Sequence, residues 1–180
     1  YWKSSTTYCF RLYQKLKLSS RYNVRFKGYN TFTGKTVPPR EWSFNTPTIT
    51  IRRLRPYNRA RWQTLDQKVL VQFSQDVDPN RISRFINVIT PGGSHEFDVR
   101  YSDEKERKTL YYYRKDQKNI NKFVTITPRT PLPIASDIRV RFLPGLPSIE
   151  GNIGLQKERE LQFRTYEIFK ILNVKNKFYP

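Results

Sequence analysis

The chain of 180 residues (21.7 kDa) carries 34 Lys+Arg against 15 Asp+Glu, a formal charge of +19. Hydrophobic residues reach only 37%, yet 12 Tyr, 12 Phe and 3 Trp are too many aromatics for a disordered basic tail. No apolar run is long enough for a membrane-spanning helix, a single cysteine excludes an internal disulfide or thiolate zinc cluster, and a single histidine argues against most metal or acid–base constellations.

The N-terminus, Tyr1-Trp2-Lys3, has neither an initiator Met nor a signal segment and reads as a fragment or processed chain. Apolar and polar residues then alternate at period two through Arg21-Tyr22-Asn23-Val24-Arg25-Phe26-Lys27, the pattern of a strand with one buried and one solvated face. Thr48 to Leu54 is a further strand candidate, and Lys68 to Phe73 repeats the alternation. Pro79 to Asn87 holds a turn or short helix, and Pro91-Gly92-Gly93 a turn. Strands follow at Phe97 to Tyr101, Leu110 to Arg114 and Lys122 to Thr127, then at Arg139 to Phe142 and Glu160 to Thr165. The charged run Asp103-Glu104-Lys105-Glu106-Arg107-Lys108 is expected to be a solvated hairpin loop between two strands. Short strands punctuated by twelve prolines predict an all-β chain of tandem immunoglobulin-like antiparallel β-sandwich modules.

An internal repeat organises these strands. Leu16 to Phe26 aligns with Leu132 to Phe142 at an offset of 116 residues. Downstream, Thr33-Gly34 matches Glu150-Gly151, and Glu41 to Thr46 matches Glu160 to Thr165, each followed by a strand-like segment. The expected organisation is the C-terminal part of one module over 1–46, a complete module over 47–165, and the first strand of another module or a tail over 166–180. Boundaries at Phe-x-Thr leave almost no linker, so neighbouring modules should have restricted orientation.

Candidate chemistry is sparse. Cys9, between Tyr8 and Phe10, reads as a strand-buried small residue rather than a reactive thiol. His95 reads as a surface residue in a turn. Asp76 and Asp78 have a calcium-loop spacing but lack a third acidic ligand, so Asx-type turn bonding is the expectation. Glu158 and Glu160 lack the context of an acid–base pair, and no phosphate-cradling glycine loop is present. The sequence therefore predicts no enzyme, no cofactor and no metal. The one local concentration of charge is Arg52, Arg53, Arg55, Arg59 and Arg61 with Trp62. These are the candidate polyanion contacts, since guanidinium groups meet phosphates and aromatic faces stack on bases. Elsewhere basic residues run from Lys3 to Lys177 without a recognition motif, so nucleic acid is not the expected partner.

Val69-Leu70-Val71-Gln72-Phe73-Ser74-Gln75-Asp76-Val77-Asp78-Pro79 resembles the strand and Val-Asp-Pro signature of bacterial Ig-like modules. Together with Pro144-Gly145-Leu146-Pro147-Ser148-Ile149-Glu150-Gly151 and Phe163-Arg164-Thr165-Tyr166, it resembles the N-terminal macroglobulin-like domains of bacterial alpha-2-macroglobulins. That resemblance implies a non-catalytic scaffold fragment of a protease inhibitor, periplasmic, outer-membrane-anchored or secreted, whose partners are other domains of the same long chain and a target protease. The family's Cys-x-Glu-Gln thioester is not matched by Cys9-Phe10-Arg11-Leu12, so no such site is carried over. The alternatives are an Ig-like array of a bacterial surface or adhesion protein, and a polyanion- or single-stranded nucleic-acid-binding protein.

Overall fold

Period-two alternation becomes burial most plainly in β14 (Asp137–Phe142), where Ile138, Val140 and Phe142 are buried while Asp137 and Arg139 face solvent. The computed structural model describes residues 2–4, 7–9, 12–30, 34–110 and 119–168. Among these, three short antiparallel pairs come first: β1 (Trp2–Ser4) with β2 (Thr7–Tyr8), β3 (Arg21–Phe26) with β6 (Arg40–Asn45), and β4 (Tyr29–Asn30) with β5 (Thr36–Val37).

The strands that follow form two sheets. They are β7 (Ile51–Arg55), β8 (Ala60–Gln63), β9 (Val69–Phe73), β10 (Ile86–Thr90), β11 (Gly93–His95), β12 (Phe97–Tyr101), β13 (Phe123–Pro128), β14 and β15 (Arg159–Thr165). One sheet has the order β11-β10-β14-β15-β8 and the other β12-β13-β9-β7. Their inner faces enclose one core that includes Val69, Val71, Phe73, Val124, Ile126, Phe142, Leu161 and Phe163. This is an all-β sandwich. All of its pairings are antiparallel except β15 with β8, which run parallel.

Three expectations change. The run from Asp103 to Lys108 is not a hairpin loop: Glu104–Leu110 is a helix, α2. The Asp103 carboxylate accepts from the Glu106 amide (2.8 Å) and Glu106 accepts from the Asp103 amide (3.0 Å), a reciprocal cap. Leu110 consequently ends a helix rather than opening a strand, and 111–114 lie outside the described residues. The second change follows from the first. β9 is buried on both faces, because its outward Leu70 joins Leu110 of α2 and Phe123 in a second apolar cluster. Third, residues 86–90 form β10, a full strand that pairs with both β11 and β14, with Pro91-Gly92 at the expected turn. The short helix is confined to α1 (Pro79–Ile82) and a 3-10 turn over Ser83–Phe85.

The hairpin of β3 and β6 repeats β14 and β15 in register. Arg21 faces Asn45 and Phe26 faces Arg40, as Asp137 faces Arg164 and Phe142 faces Arg159. What differs is burial. Trp42 and Phe44 are 49% and 41% exposed, whereas their counterparts Leu161 and Phe163 are at most 1% exposed. The hairpin thus displays the residues of a sandwich's inner face, with no facing sheet among the described residues. Replacing Leu161 with Ala should cost about 2–5 kcal/mol, while Trp42→Ser should cost under about 1 kcal/mol in this chain. Urea unfolding of the two variants checks the contrast.

Candidate functional site at the hairpin–sandwich contact

The residues preceding β3 do more than start a strand. Ser19 adopts φ 51°, a left-handed conformation that turns the chain sharply, and it is completely buried. Its hydroxyl lies 2.8 Å from Gln75 Oε1 and accepts from the Ile49 amide at 3.1 Å. Its carbonyl accepts from the Ile153 amide at 2.8 Å, and the Leu18 amide donates to Glu150 Oε2 at 3.0 Å. Gln75 completes the set by donating to the Pro47 carbonyl at 2.8 Å. Every polar atom of a buried serine that can reach the sandwich does so, which offsets the desolvation cost of burying it.

The sandwich side is supplied by the long connection from β14 to β15. Leu146 and Leu155 anchor that loop in the core, and the Ile149 amide donates to the Asp76 carbonyl at 2.9 Å. At its tip the chain passes so close to Leu18 and Ser19 that a Cβ on Gly151 would lie 2.1 Å from the Ser19 carbonyl oxygen. Only glycine fits there. Gly34, the counterpart of Gly151 in the sequence repeat, faces open space; Thr33 lies outside the described residues.

The same wiring occurs a second time. Thr46 Oγ1 donates to the Lys17 carbonyl (2.8 Å) and accepts from the Ser20 amide (3.0 Å); Thr165 Oγ1 donates to the Pro133 carbonyl (2.7 Å) and accepts from the Ser136 amide (3.0 Å). The Ser19 amide donates to the Pro47 carbonyl at 3.0 Å, and the Ala135 amide to the Tyr166 carbonyl at 2.9 Å. Ala135, at φ 52°, has the left-handed backbone of Ser19. The sequence repeat is therefore a repeat of hydrogen-bonded geometry.

The candidate polyanion contacts are divided between the two sheets. Arg52, Arg53 and Arg55 belong to β7. There Arg53 donates to the Leu110 carbonyl at 2.7 Å, and Arg55 covers the Tyr57 ring at 3.8 Å. Arg59, Arg61 and Trp62 border a concavity of about 450 Å³ beside β15, shared with Arg164, Asp137 and Glu167. Arg59 and Trp62 both have positive φ, and the Arg59 amide donates to the Gln162 carbonyl at 2.6 Å. Trp62 is 66% exposed. Other basic residues are spent on cross-strand ion pairs: Arg25 with Glu41, Arg141 with Glu158 (2.6 Å), and Arg164 with Asp137 (3.1 Å).

The other candidates have structural places. Asp78 caps α1 by accepting from the Asn80 amide at 3.0 Å. His95 lies in β11 with Nε2 3.0 Å from the Thr130 carbonyl. Cys9 follows β2 and is half-buried, not buried within a strand. Glu158 is paired with Arg141, which holds its carboxyl below the usual carboxylate range. No group of three or more metal-ligating side chains occurs among the described residues.

The sequence reading missed Glu106. Its side chain, only 12% exposed, accepts from Arg100 (2.5 and 2.9 Å) and Thr125 (2.8 Å), and pairs with Lys68 at 3.3 Å. Burial works against its ionisation, but the bonds from Arg100, the Asp103 amide and Thr125 prevail and hold its pKa down at about 2. Asp-x-x-Glu, the spacing of a reciprocal helix cap, was the signal available for it.

No protein-family model matches the chain, and no curated protein sequence does. Among solved structures it is similar to L,D-transpeptidase 1 of Mycobacterium tuberculosis, at 17% identity over 67% of this chain and 40% of that one, with a TM-score of 0.39. It is similar to an L,D-transpeptidase from Mycobacterium smegmatis, at 13% identity over 66% of this chain and 40% of that one (TM-score 0.39). A third is the N-terminal part of the bacterial S-layer protein SbsC, at 12% identity over 66% of this chain and 24% of that one (TM-score 0.38). The chain thus spans well under half the length of each. These findings correct the alpha-2-macroglobulin expectation and the protease-inhibitor role that came with it: no family model supports either, and the similar structures are L,D-transpeptidases and an S-layer protein. What stands is the architecture, an all-β sandwich with no helix long and apolar enough to cross a membrane among the described residues.

Proposed function

We propose that this chain is a non-catalytic spacer, part of a serial array of Ig-like sandwich modules that holds successive modules at a fixed angle outside the bacterial cytoplasm. In this reading residues 1–46 belong to one module, 47–165 are the next, and 166–180 lead onward. The observation that carries it is the buried Ser19, whose hydrogen bonds on all sides belong to the following sandwich. A flexible tether would leave such a residue in water. The residues at this contact are a serine, a glutamine, a glutamate and a glycine, arranged to join backbones and not to surround a ligand.

The charge fits the same reading. It lies on solvent faces of alternating strands, where it keeps an aromatic-rich β array soluble, and cross-strand carboxylates meet only part of it, as at Arg25–Glu41 and Arg164–Asp137. Two measurements on one sample test the proposal. Backbone relaxation should give one rotational correlation time for the β3–β6 hairpin and the sandwich; independent tumbling would overturn it. Titration with a single-stranded oligonucleotide should show weak binding that falls steeply with salt. Sub-micromolar affinity at physiological salt would favour a polyanion-binding protein instead.

A further inference from the structure

We propose that the surface made by Ile134, Ala135, Tyr166 and Ile168 is a docking face for another sandwich module of this same type, joined directly at Ile168. The inference rests on the array reading and extends it to a second, specified interface. At the first contact, the turn Leu18-Ser19-Ser20 and the exit strand through Thr46 form a base, and the next sandwich closes over it. At the second, Ile134-Ala135-Ser136 and Thr165 form that base again with matching hydrogen bonds to within about 0.2 Å. Nothing described covers it. Ile49, the first core residue after the first base, is 0% exposed, whereas its counterpart Ile168 is 59% exposed, and Ile134 and Tyr166 beside it are 40% and 39% exposed.

The repeat also says what the occupant must present. Ser19 gives its carbonyl to the Ile153 amide, and Leu18 gives its amide to Glu150. A module seated on Ala135 should offer a backbone amide to the Ala135 carbonyl and a carboxylate to the Ile134 amide, with a glycine where its loop crosses the turn. Arg59 and Arg61 in the adjoining concavity complement such an acidic loop, while Arg164 there is already paired with Asp137 and Glu167. Ala135 lacks the hydroxyl with which Ser19 holds Gln75, so this second interface is the more apolar of the two. The sequence onward, Ile168-Phe169-Lys170-Ile171-Leu172, carries the apolar residues with which a first strand would enter that module, as Ile49 to Leu54 do after the first base.

The test replaces residues 169–180 with a second copy of 50–168, so that Ile168 takes the place of Ile49. Hydrogen exchange at the Ile134 amide, the counterpart of the Leu18 amide that donates to Glu150, should slow about a hundredfold relative to the 180-residue chain. Gly151→Ala in the appended copy alone should restore the fast rate. Fast exchange at Ile134 with the appended copy folded overturns the proposal, and so does a copy that stays unfolded, because the same residues fold at the first contact. The Ser19 amide in the same sample keeps the two readings apart. Slow Ser19 with fast Ile134 removes only this docking face; fast Ser19 removes the array reading itself.

Discussion

Gly151→Ala should detach the N-terminal hairpin from the sandwich while leaving the sandwich folded. The added Cβ would sit 2.1 Å from the Ser19 carbonyl oxygen and 2.3 Å from that of Leu18, both backbone atoms that no rotamer change can move aside. One partner must withdraw, and with it go the Ile153–Ser19 and Leu18–Glu150 hydrogen bonds. The Ser19 hydroxyl would then lose its burial. Overpacking of this kind costs about 1–3 kcal/mol where side chains can yield, and backbone contact places this case at the upper end. The readout is local: amide exchange at Ser19 and Ile153 should rise steeply while Val71 and Ile126 in the core keep their protection. Two glycines serve as controls. Gly34→Ala meets no atom and should cost only the left-handed backbone strain at φ 74°, about 1–2 kcal/mol. Gly154→Ala would place a Cβ 2.3 Å from the Gly145 carbonyl carbon, inside the β14–β15 loop itself, and should destabilise the sandwich as a whole.

Glu106→Gln should be the most damaging change of a charged residue in the sandwich. Glu106 ties together three elements: α2 through its cap with Asp103, β12 through Arg100, and β13 through Thr125. A pKa of about 2 against an ordinary 4.5 means that the folded state favours the carboxylate. That preference contributes stability in full above about pH 4.5, and it is lost as pH falls through 4.5 toward 2. The shift corresponds to roughly 3 kcal/mol at neutral pH, of which about half remains at pH 3. Urea unfolding of wild type and variant at pH 7 and pH 3 should therefore show a gap of about 2–3 kcal/mol that narrows by about half on acidification. A gap independent of pH would mean that the carboxylate charge is not what holds α2 in place.

Much of the fold was legible because alternation reports one-sided burial directly. β3, β9 and β14 lie where period-two patterning placed them, β12, β13 and β15 lie where further strands were expected, and the repeat between Leu16–Phe26 and Leu132–Phe142 became a repeat of hydrogen bonds. The misses have physical causes. β9 looks half-exposed in sequence because Leu70 alone cannot announce a helix thirty-odd residues later that covers it. The charged run over 103–108 looks solvated because its apolar contribution to the second cluster is the single Leu110 at its end. β8 was hidden by Arg59 and Trp62, whose positive φ values depart from ordinary extended backbone and whose side chains are exposed. The contact site was legible only in part. The repeat marked Ser19 as equivalent to Ala135, but burial of Ser19 depends on a loop more than a hundred residues away. The glycine that permits it, Gly151, looks like any turn glycine. Arg52 to Trp62 was a real local concentration of charge, yet the strands divide it between two sheets, which adjacency in sequence could not indicate.

Native-state hydrogen exchange of the Ser19 and Ile153 amides tests the spacer reading most directly. If the hairpin and sandwich are one rigid unit, both amides should exchange only through opening events approaching those of core residues such as Val71. If they exchange at rates close to those of an unstructured chain while Val71 stays protected, the hairpin is tethered and not docked, and the chain does not fix the angle between successive modules.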